Sequence, residues 1–329
     1  MLKSAEYFMA GFFGLEWTNN ATLEVILEGQ GFNNSLAGYC RCNNSNLPVN
    51  HGGTNASRIW EEKYLTEAVK RFSSMTEGYN WTISSIYNAQ TLCPYETVAF
   101  GYSAFCDLFT FSEWQGFEYS LDLMFAGGYY FQSPTGRALG IGYVQEILAR
   151  LQQHVLTTHG TQANFTLDSN IETFPLNQTL YFDFSHDVNI AAVLTAFGLT
   201  QFADVLPTSG PPKHQQLIAS HLTPFGARLD MEIIEAPHPV RSDRSDSSSS
   251  SPYDSGAPTT YIHFILNQRT LPLGKSLPEC GPRDDGWCEL GSFLKSQESS
   301  LQEAQYDYSC NGDYPAAEYG SITNGAPLG

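Results

Sequence analysis

The chain has 329 residues, enough for one large domain or two smaller ones with real cores, and its hydrophobic content of 42% is that of a globular protein. A formal net charge of −18 argues against nucleic-acid binding and against attraction to an anionic membrane surface. No apolar run approaches the length that spans a bilayer.

Residues 4–14 read as a helix with Phe8, Met9, Phe12 and Phe13 as its bulky apolar members, and 22–27 as a short strand. Residues 31–55 are rich in Asn and Gly and read as loop, with Cys40 and Cys42 inside it. A Cys-X-Cys can be half of a metal site, but no second Cys/His pair stands at ligand spacing, so disulfide bonding is favoured. A helical block follows: Leu65, Ala68, Val69 and Phe72 form one stripe, and 97–109 and 113–125 continue it. After the Gly-rich turn at 136–142, Val144, Ile147, Leu148 and Leu151 stripe a further helix. Stripes at this spacing belong to a core rather than to a cofactor site.

Residues 180–199 are the central unit. Leu180 to Phe184 is apolar and aromatic with Asp183 as its only polar member, as suits a strand covered on both faces. Ile190, Val193, Leu194 and Phe197 fall at i, i+3, i+4 and i+7 of a helix, with Gly198 as its stop. Between strand and helix stand Ser185, His186 and Asp187, at the carboxyl end of a buried strand, where open α/β sheets place their ligands. A His-Asp pair facing a helix N-terminus suits a phosphate. A plainer use is equally open: Ser185 or Asp187 caps the helix and His186 is a turn residue. Residues 228–235 and 261–266 read as two further strands. Between them, 236–258 carries five serines at 247–251 and reads as a low-complexity, disordered insertion. The tail after Cys310 is rich in Gly, Ala and Pro and is expected to fray.

Sequons of the type Asn-X-Ser/Thr occur at Asn20, Asn33, Asn43, Asn55, Asn80, Asn164 and Asn177, which suggests a glycosylated, extracellular chain. The 7 cysteines fit an oxidising compartment, although an odd count leaves one unpaired. Yet Met1-Leu2-Lys3-Ser4 leads straight into a helix, with no signal peptide. A secreted composition without a secretory start points to a missing N-terminal segment.

Several segments together resemble the histidine acid phosphatase family, in particular its fungal phytase-like branch. They are Phe-Ser-His-Asp at 184–187 before an apolar helix, Phe105-Cys106-Asp107-Leu108-Phe109-Thr110 with Glu113-Trp114, and Gly140-Ile141-Gly142-Tyr143 with 146–151. Thr173-Phe174-Pro175-Leu176-Asn177, Pro224-Phe225-Gly226-Ala227-Arg228-Leu229 and 267–273 follow the same order. Nearly the whole chain is covered. The resemblance implies an α/β fold with a histidine-phosphatase type doubly wound sheet and an inserted, mostly helical domain. Residues 1–30 and 136–329 would form the sheet domain, with its first strand missing, and 31–135 the helical cap.

The chemistry the resemblance implies is phosphomonoester hydrolysis through a phosphohistidine. His186 would bind a phosphate oxygen and Asp187 would protonate the leaving alkoxide, as a general acid. The nucleophile of such enzymes lies in Arg-His-Gly-X-Arg-X-Pro, which does not occur here; Asn50-His51-Gly52-Gly53 lacks both arginines. Ser4 would align with the Ser of that family's Arg-X-X-X-Ser helix start, which puts its phosphate-holding arginine just before Met1. The expectation is therefore a truncated secreted acid phosphatase or phytase, inactive by itself. The other reading is a non-enzymatic secreted glycoprotein that kept the fold. No metal or organic cofactor is implied, and the expected ligands are phosphomonoester small molecules, phytate among them. The family pattern also implies disulfides Cys93–Cys106, Cys280–Cys288 and Cys40–Cys310, leaving Cys42 over. Along 121–126, Met124 and Phe125 fall where phytases of that branch carry lysines, and Asp122 adds the wrong sign, which favours a broad acid phosphatase over a dedicated phytase.

Overall fold

A computed structural model describes residues 1–158, 160–242 and 256–328. In chain order the elements are α1 (Leu2–Phe13), α2 (Gly52–Tyr64), α3 (Thr66–Met75), α4 (Ile83–Phe100), α5 (Phe111–Tyr129), α6 (Gly136–Leu151), α7 (Phe165–Asp168), α8 (Asp187–Ala196) and α9 (Ala219–Leu222). The strands β1 (Leu229–Ala236), β2 (Thr259–Leu266), β3 (Arg269–Leu271) and β4 (Cys288–Glu289) follow, then α10 (Leu290–Ser296), α11 (Ser300–Ala304) and α12 (Tyr306–Asn311). Three 3₁₀ segments, Ser35–Arg41, Asn43–Asn46 and Pro48–Asn50, occupy the loop before α2. The serine run at 247–251 lies outside the described residues.

Local chemistry explains where the long helices begin and end. Thr110 accepts the Glu113 backbone N–H at 3.3 Å, and the Glu113 carboxylate accepts the Thr110 N–H at 2.8 Å, so two orphan donors are satisfied reciprocally at the start of α5. Thr82 and Ser85 do the same for α4, and Gly101 closes that helix at φ 80°. Bidentate contacts at 2.8 Å from Arg71 to Glu113 tie α3 to α5.

The main core joins α5, α6 and α8 to the sheet through Leu123, Ile141, Val144, Leu194, Phe197, Phe264 and Phe293. A separate helical cluster holds Leu65, Phe72, Ile86 and Phe109. α8 crosses α6 closely because Gly140 has no Cβ: an added one would stand 2.3 Å from the carbonyl oxygen of Ala192. Gly198, at φ 76°, ends the turn after α8 as expected. The sheet packs through Phe264, whose ring lies 5.1 Å from Phe197 and 5.6 Å from Phe293.

The two later strands form as the sequence expects, and the two earlier ones do not. β1 pairs antiparallel with β2, from Leu229 opposite Leu266 to Ala236 opposite Thr259, while β3 and β4 also pair antiparallel with β2. The strands expected at 22–27 and 180–184 join no ladder among the described residues. The second run is held by side chains instead. Phe182 and Phe184 pack on Phe8 at 4.9 and 5.4 Å between ring centroids, and Phe182 on Phe12 at 5.2 Å. The pattern of apolar residues suited a buried strand, but Leu180 and Phe182 are exposed.

The disulfides are Cys93–Cys106, Cys280–Cys288 and Cys42–Cys310. The last corrects the expected Cys40–Cys310. Asn43 bonds to Asn311, and Asn44 donates to the Ser309 and Gly312 carbonyls, so the segment from 42 to 44 lies flat on α12. That places the Cα of Cys42 4.4 Å from Cys310, at the near limit of disulfide reach. Cys40 belongs to the opposite side of its turn, where its carbonyl accepts the Gly31 N–H, and it is the buried free thiol.

Candidate active site

The N-terminus of α8 receives the chain from an extended run, so its first residues project from a rigid helix end. Neither Ser185 nor Asp187 closes that helix in the manner of an N-cap. His186 occupies the cap position with no side-chain cap bond, and its carbonyl accepts the Asn189 and Ile190 N–H groups. Ser185 Oγ donates to the Leu36 carbonyl, which anchors the run to the first 3₁₀ segment. Asp187 is exposed, and its Oδ1 accepts the Val188 N–H at 2.8 Å. The other Asp187 oxygen has no hydrogen bond among the described residues.

His186 Nε2 lies 2.9 Å from Glu28 Oε2. Glu28 accepts a second bond from the Tyr39 hydroxyl, and the rings of Tyr39 and His186 meet edge-on at 6.0 Å. The Tyr39 hydrogen bond, then that of His186, holds the Glu28 carboxyl below its ordinary range. Burial, followed by the Glu28 contact, pushes the Tyr39 hydroxyl up, so it remains a donor. Tyr129, at the end of α5, is raised first by burial and then by the Asp187 charge. Acidic and phenolic groups therefore surround the His-Asp pair, and its described surroundings hold no arginine or lysine bond to either residue.

Behind the extended run lies a second polar layer. The Tyr143 hydroxyl donates to Asp183 at 3.0 Å, and Arg150 stands 3.7 Å from the same carboxylate. The guanidinium of Arg150 lies over the rings of Phe174, at 4.6 Å, and Tyr181, at 4.9 Å. Farther in, Glu146 and Asp168 are both buried, and burial raises both carboxyls, that of Asp168 to about 6. Asp183 thus fixes the run three residues before His186, and α6 supplies both of its partners.

The structure unites His186 and Asp187 as adjacent, solvent-reaching groups. Sequence reasoning missed Glu28 and Tyr39, which hold His186. The signal available was weak: Glu28 is the first charged residue after the apolar Ile26-Leu27, at the end of an extended run. His51 precedes α2, is exposed, and forms no hydrogen bond with His186 or Asp187 among the described residues. Asp122 departs from its expected role. It is buried, accepting the Ala219 N–H at 2.7 Å and the Gln215 amide at 2.6 Å, so it presents no charge to a ligand. Phe125 is core as well. No group of three or more His, Cys, Asp or Glu able to hold a metal occurs among the described residues, and no described helix is long and apolar enough to cross a membrane.

The helical layers over the sheet, with a His-Asp pair opening a helix, make this an α/β protein. The chain belongs to the histidine phosphatase superfamily (branch 2), whose family model matches residues 1–267. It is 33% identical to Phytase A of Aspergillus terreus over 82% of this chain and 54% of that protein. It is 30% identical to Phytase A of Aspergillus fumigatus over 90% of this chain and 61% of that one. The acid phosphatase of Schizosaccharomyces pombe is 27% identical, over 97% of this chain and 63% of its own length. The chain thus spans between about half and two thirds of these relatives. The crystal structure of the phytase from D. castellii superposes with a TM-score of 0.68 at 21% identity, covering 96% of this chain and 59% of that one, which establishes the shared fold.

Proposed function

We propose that this chain carries the phosphate-oxygen and proton-donor half of a secreted phosphomonoester hydrolase of the acid phosphatase and phytase kind. The observation that carries the reading is the His186–Asp187 pair at the open N-terminus of α8, in a chain of this superfamily. His186 offers a ring nitrogen to a phosphate oxygen, and the first-turn N–H groups of α8 favour the anion. Asp187, exposed beside them, is the proton donor to a leaving alkoxide. No Arg-His-Gly-X-Arg-X-Pro nucleophile stands in the 329 residues. Loss of a nucleophile that works with its partners as a unit costs on the order of 10⁶ in rate, so this chain by itself is expected not to turn over.

Two measurements test the reading. In inorganic-phosphate titrations followed by phosphorus NMR, H186A should weaken binding, while D187N should leave it intact or tighten it by removing a negative charge. Equal binding by all three proteins would overturn the phosphate assignment. In an assay of p-nitrophenyl phosphate at acid pH, hydrolysis at the level of an intact relative, abolished in D187N, would overturn the expected inactivity and make His51 the first nucleophile to examine.

A substrate preference rests on Met124, half-buried against the core, since Asp122 and Phe125 lie in the interior. An apolar residue there offers phytate no charge-assisted contact, which favours simple monoesters. Grafting a relative's N-terminal segment onto this chain and comparing kcat/KM for phytate and p-nitrophenyl phosphate tests it; a clear preference for phytate would refute it.

A further inference from the structure

A polar cleft unrelated to the His-Asp pair lies between the loop before α2 and the C-terminal helices. It holds about 420 Å³, within the range that small ligands fill. Asn33 and Asn43 both line it, and Asn164 directly follows Ala163 of its far wall. Two of the chain's seven sequons therefore open into it, and a third begins one residue beyond its wall.

The lining offers donors and acceptors together. Arg41 and Asp307 bring opposite charges into the same space, and Asn311 adds an amide. Such a mixture does not select an anion, because Asp307 opposes one, and it gives an apolar ligand nothing. It fits a neutral group rich in hydroxyls and amides. The attachment point is unusually fixed. Cys42 is bridged to Cys310, and Asn44 donates to the Ser309 and Gly312 carbonyls at 3.1 and 2.9 Å. Between them, exposed Asn43 donates from Nδ2 to Asn311 Oδ1 at 2.9 Å.

We propose that this cleft seats the inner sugars of an N-linked glycan carried by Asn43, an inference that rests on reading the chain as a secreted glycoprotein. In the modification, Asn43 Nδ2 bonds to the anomeric carbon of a lipid-pyrophosphate-linked oligosaccharide, loses one proton, and lipid pyrophosphate leaves. The host's transferase supplies that donor while the chain is unfolded. The linked nitrogen keeps one N–H, so the bond to Asn311 survives and holds the first sugar against α12. The Arg41, Asp307 and Asn311 groups then meet its hydroxyls and acetamide.

The test is secretion of the chain from a yeast host behind a heterologous leader, with glycopeptide mapping and endoglycosidase release measured site by site. Asn80, exposed and remote from the cleft, serves as the internal control. Asn43 should carry sugar, and its release from the folded protein should be several-fold slower than release from Asn80, with the difference abolished by denaturation. S45A removes the sequon and keeps Asn43 but also loses the Ser45 bond to the Cys42 carbonyl, so it and N43Q should each lower the melting temperature of the glycosylated protein more than that of the same protein made without glycans, whereas N80Q should show no such difference. An unmodified Asn43 in a protein glycosylated elsewhere, or equal release at the two sites, overturns the proposal and leaves the glycoprotein reading standing. Absence of sugar at every sequon overturns both. No outcome depends on phosphate hydrolysis.

Discussion

His186 meets its strongest neighbour through Nε2, the atom that Glu28 already holds at 2.9 Å. A carboxylate can only accept, so the neutral ring must carry its proton on Nε2 and leave a lone pair on Nδ1; only the imidazolium form, with Nδ1 protonated as well, donates to a phosphate oxygen. Tyr39 steadies the arrangement by donating to the other Glu28 oxygen. Because these two bonds hold the Glu28 carboxyl below its ordinary range, it stays an acceptor as the solution turns acid. In Glu28→Gln the amide can flip and donate as well as accept, so the preference for one tautomer should be lost. Nitrogen-15 NMR of the His186 ring reads this directly: a single Nε2–H tautomer in the parent chain and a mixture in the variant. An unchanged Nε2–H signature in the variant would show that Glu28 does not set the ring. The cysteines carry a second prediction at this scale. Cys42→Ser should cost about 2–5 kcal/mol in urea unfolding, since it opens a bridge across a separation of 268 residues, while Cys40→Ala should cost far less. The reverse order would contradict the pairing.

Elements show which parts of the fold a sequence can announce. The stripe Ile190, Val193, Leu194 and Phe197 announced α8, and Gly198 its end, because both signals are local. The aromatic and β-branched run at 261–266 announced β2, whose partner is the neighbouring run in the chain. The runs 22–27 and 180–184 had the same composition as strands, yet pairing depends on what lies beside them in space, and the second meets phenylalanine rings and the Tyr143–Arg150 layer instead. Cys42 escaped for a similar reason, since its partner is chosen by hydrogen bonds between Asn43, Asn44 and α12. Glu28 and Tyr39 were hidden because neither belongs to a motif. The contact of α6 with α8 carries the prediction at this scale. Gly140→Val would drive a side chain into the Ala192 carbonyl, and the backbone cannot yield cheaply. The cost should be about 1–3 kcal/mol of stability. Because α8 presents His186, the same variant should also weaken inorganic-phosphate binding. A variant as stable as its parent would show that the helices can part without loss.

At the scale of the whole molecule, buried carboxyls favour the folded chain in acid, while Glu113 and Glu28, both held low by their partners, work the other way. Asp122 lies 2% exposed between α5 and α9, and burial raises its carboxyl from 3.8 to about 6 despite the bonds from Ala219 and Gln215. Asp168, beside buried Glu146, is raised to about 6 as well. A carboxyl whose folded value lies above its unfolded value binds its proton more tightly in the folded chain. Its favourable contribution is therefore whole below about pH 3.8, declines as pH rises, and is gone above about pH 6. For Asp122 alone a rise of that size corresponds to on the order of 2–3 kcal/mol. The net charge of −18 works in the same direction, because self-repulsion grows as the remaining acids ionise. Asp122→Asn cannot titrate, yet its carbonyl oxygen can still accept the Ala219 N–H. Urea unfolding between pH 4 and 7 should show the parent chain losing stability across this window and Asp122→Asn losing less, by about the Asp122 share. The absolute stability of the variant can fall without affecting the comparison, since the slope against pH carries the information. Parallel slopes would mean that Asp122 is ionised in the folded chain throughout, with the two hydrogen bonds outweighing its burial.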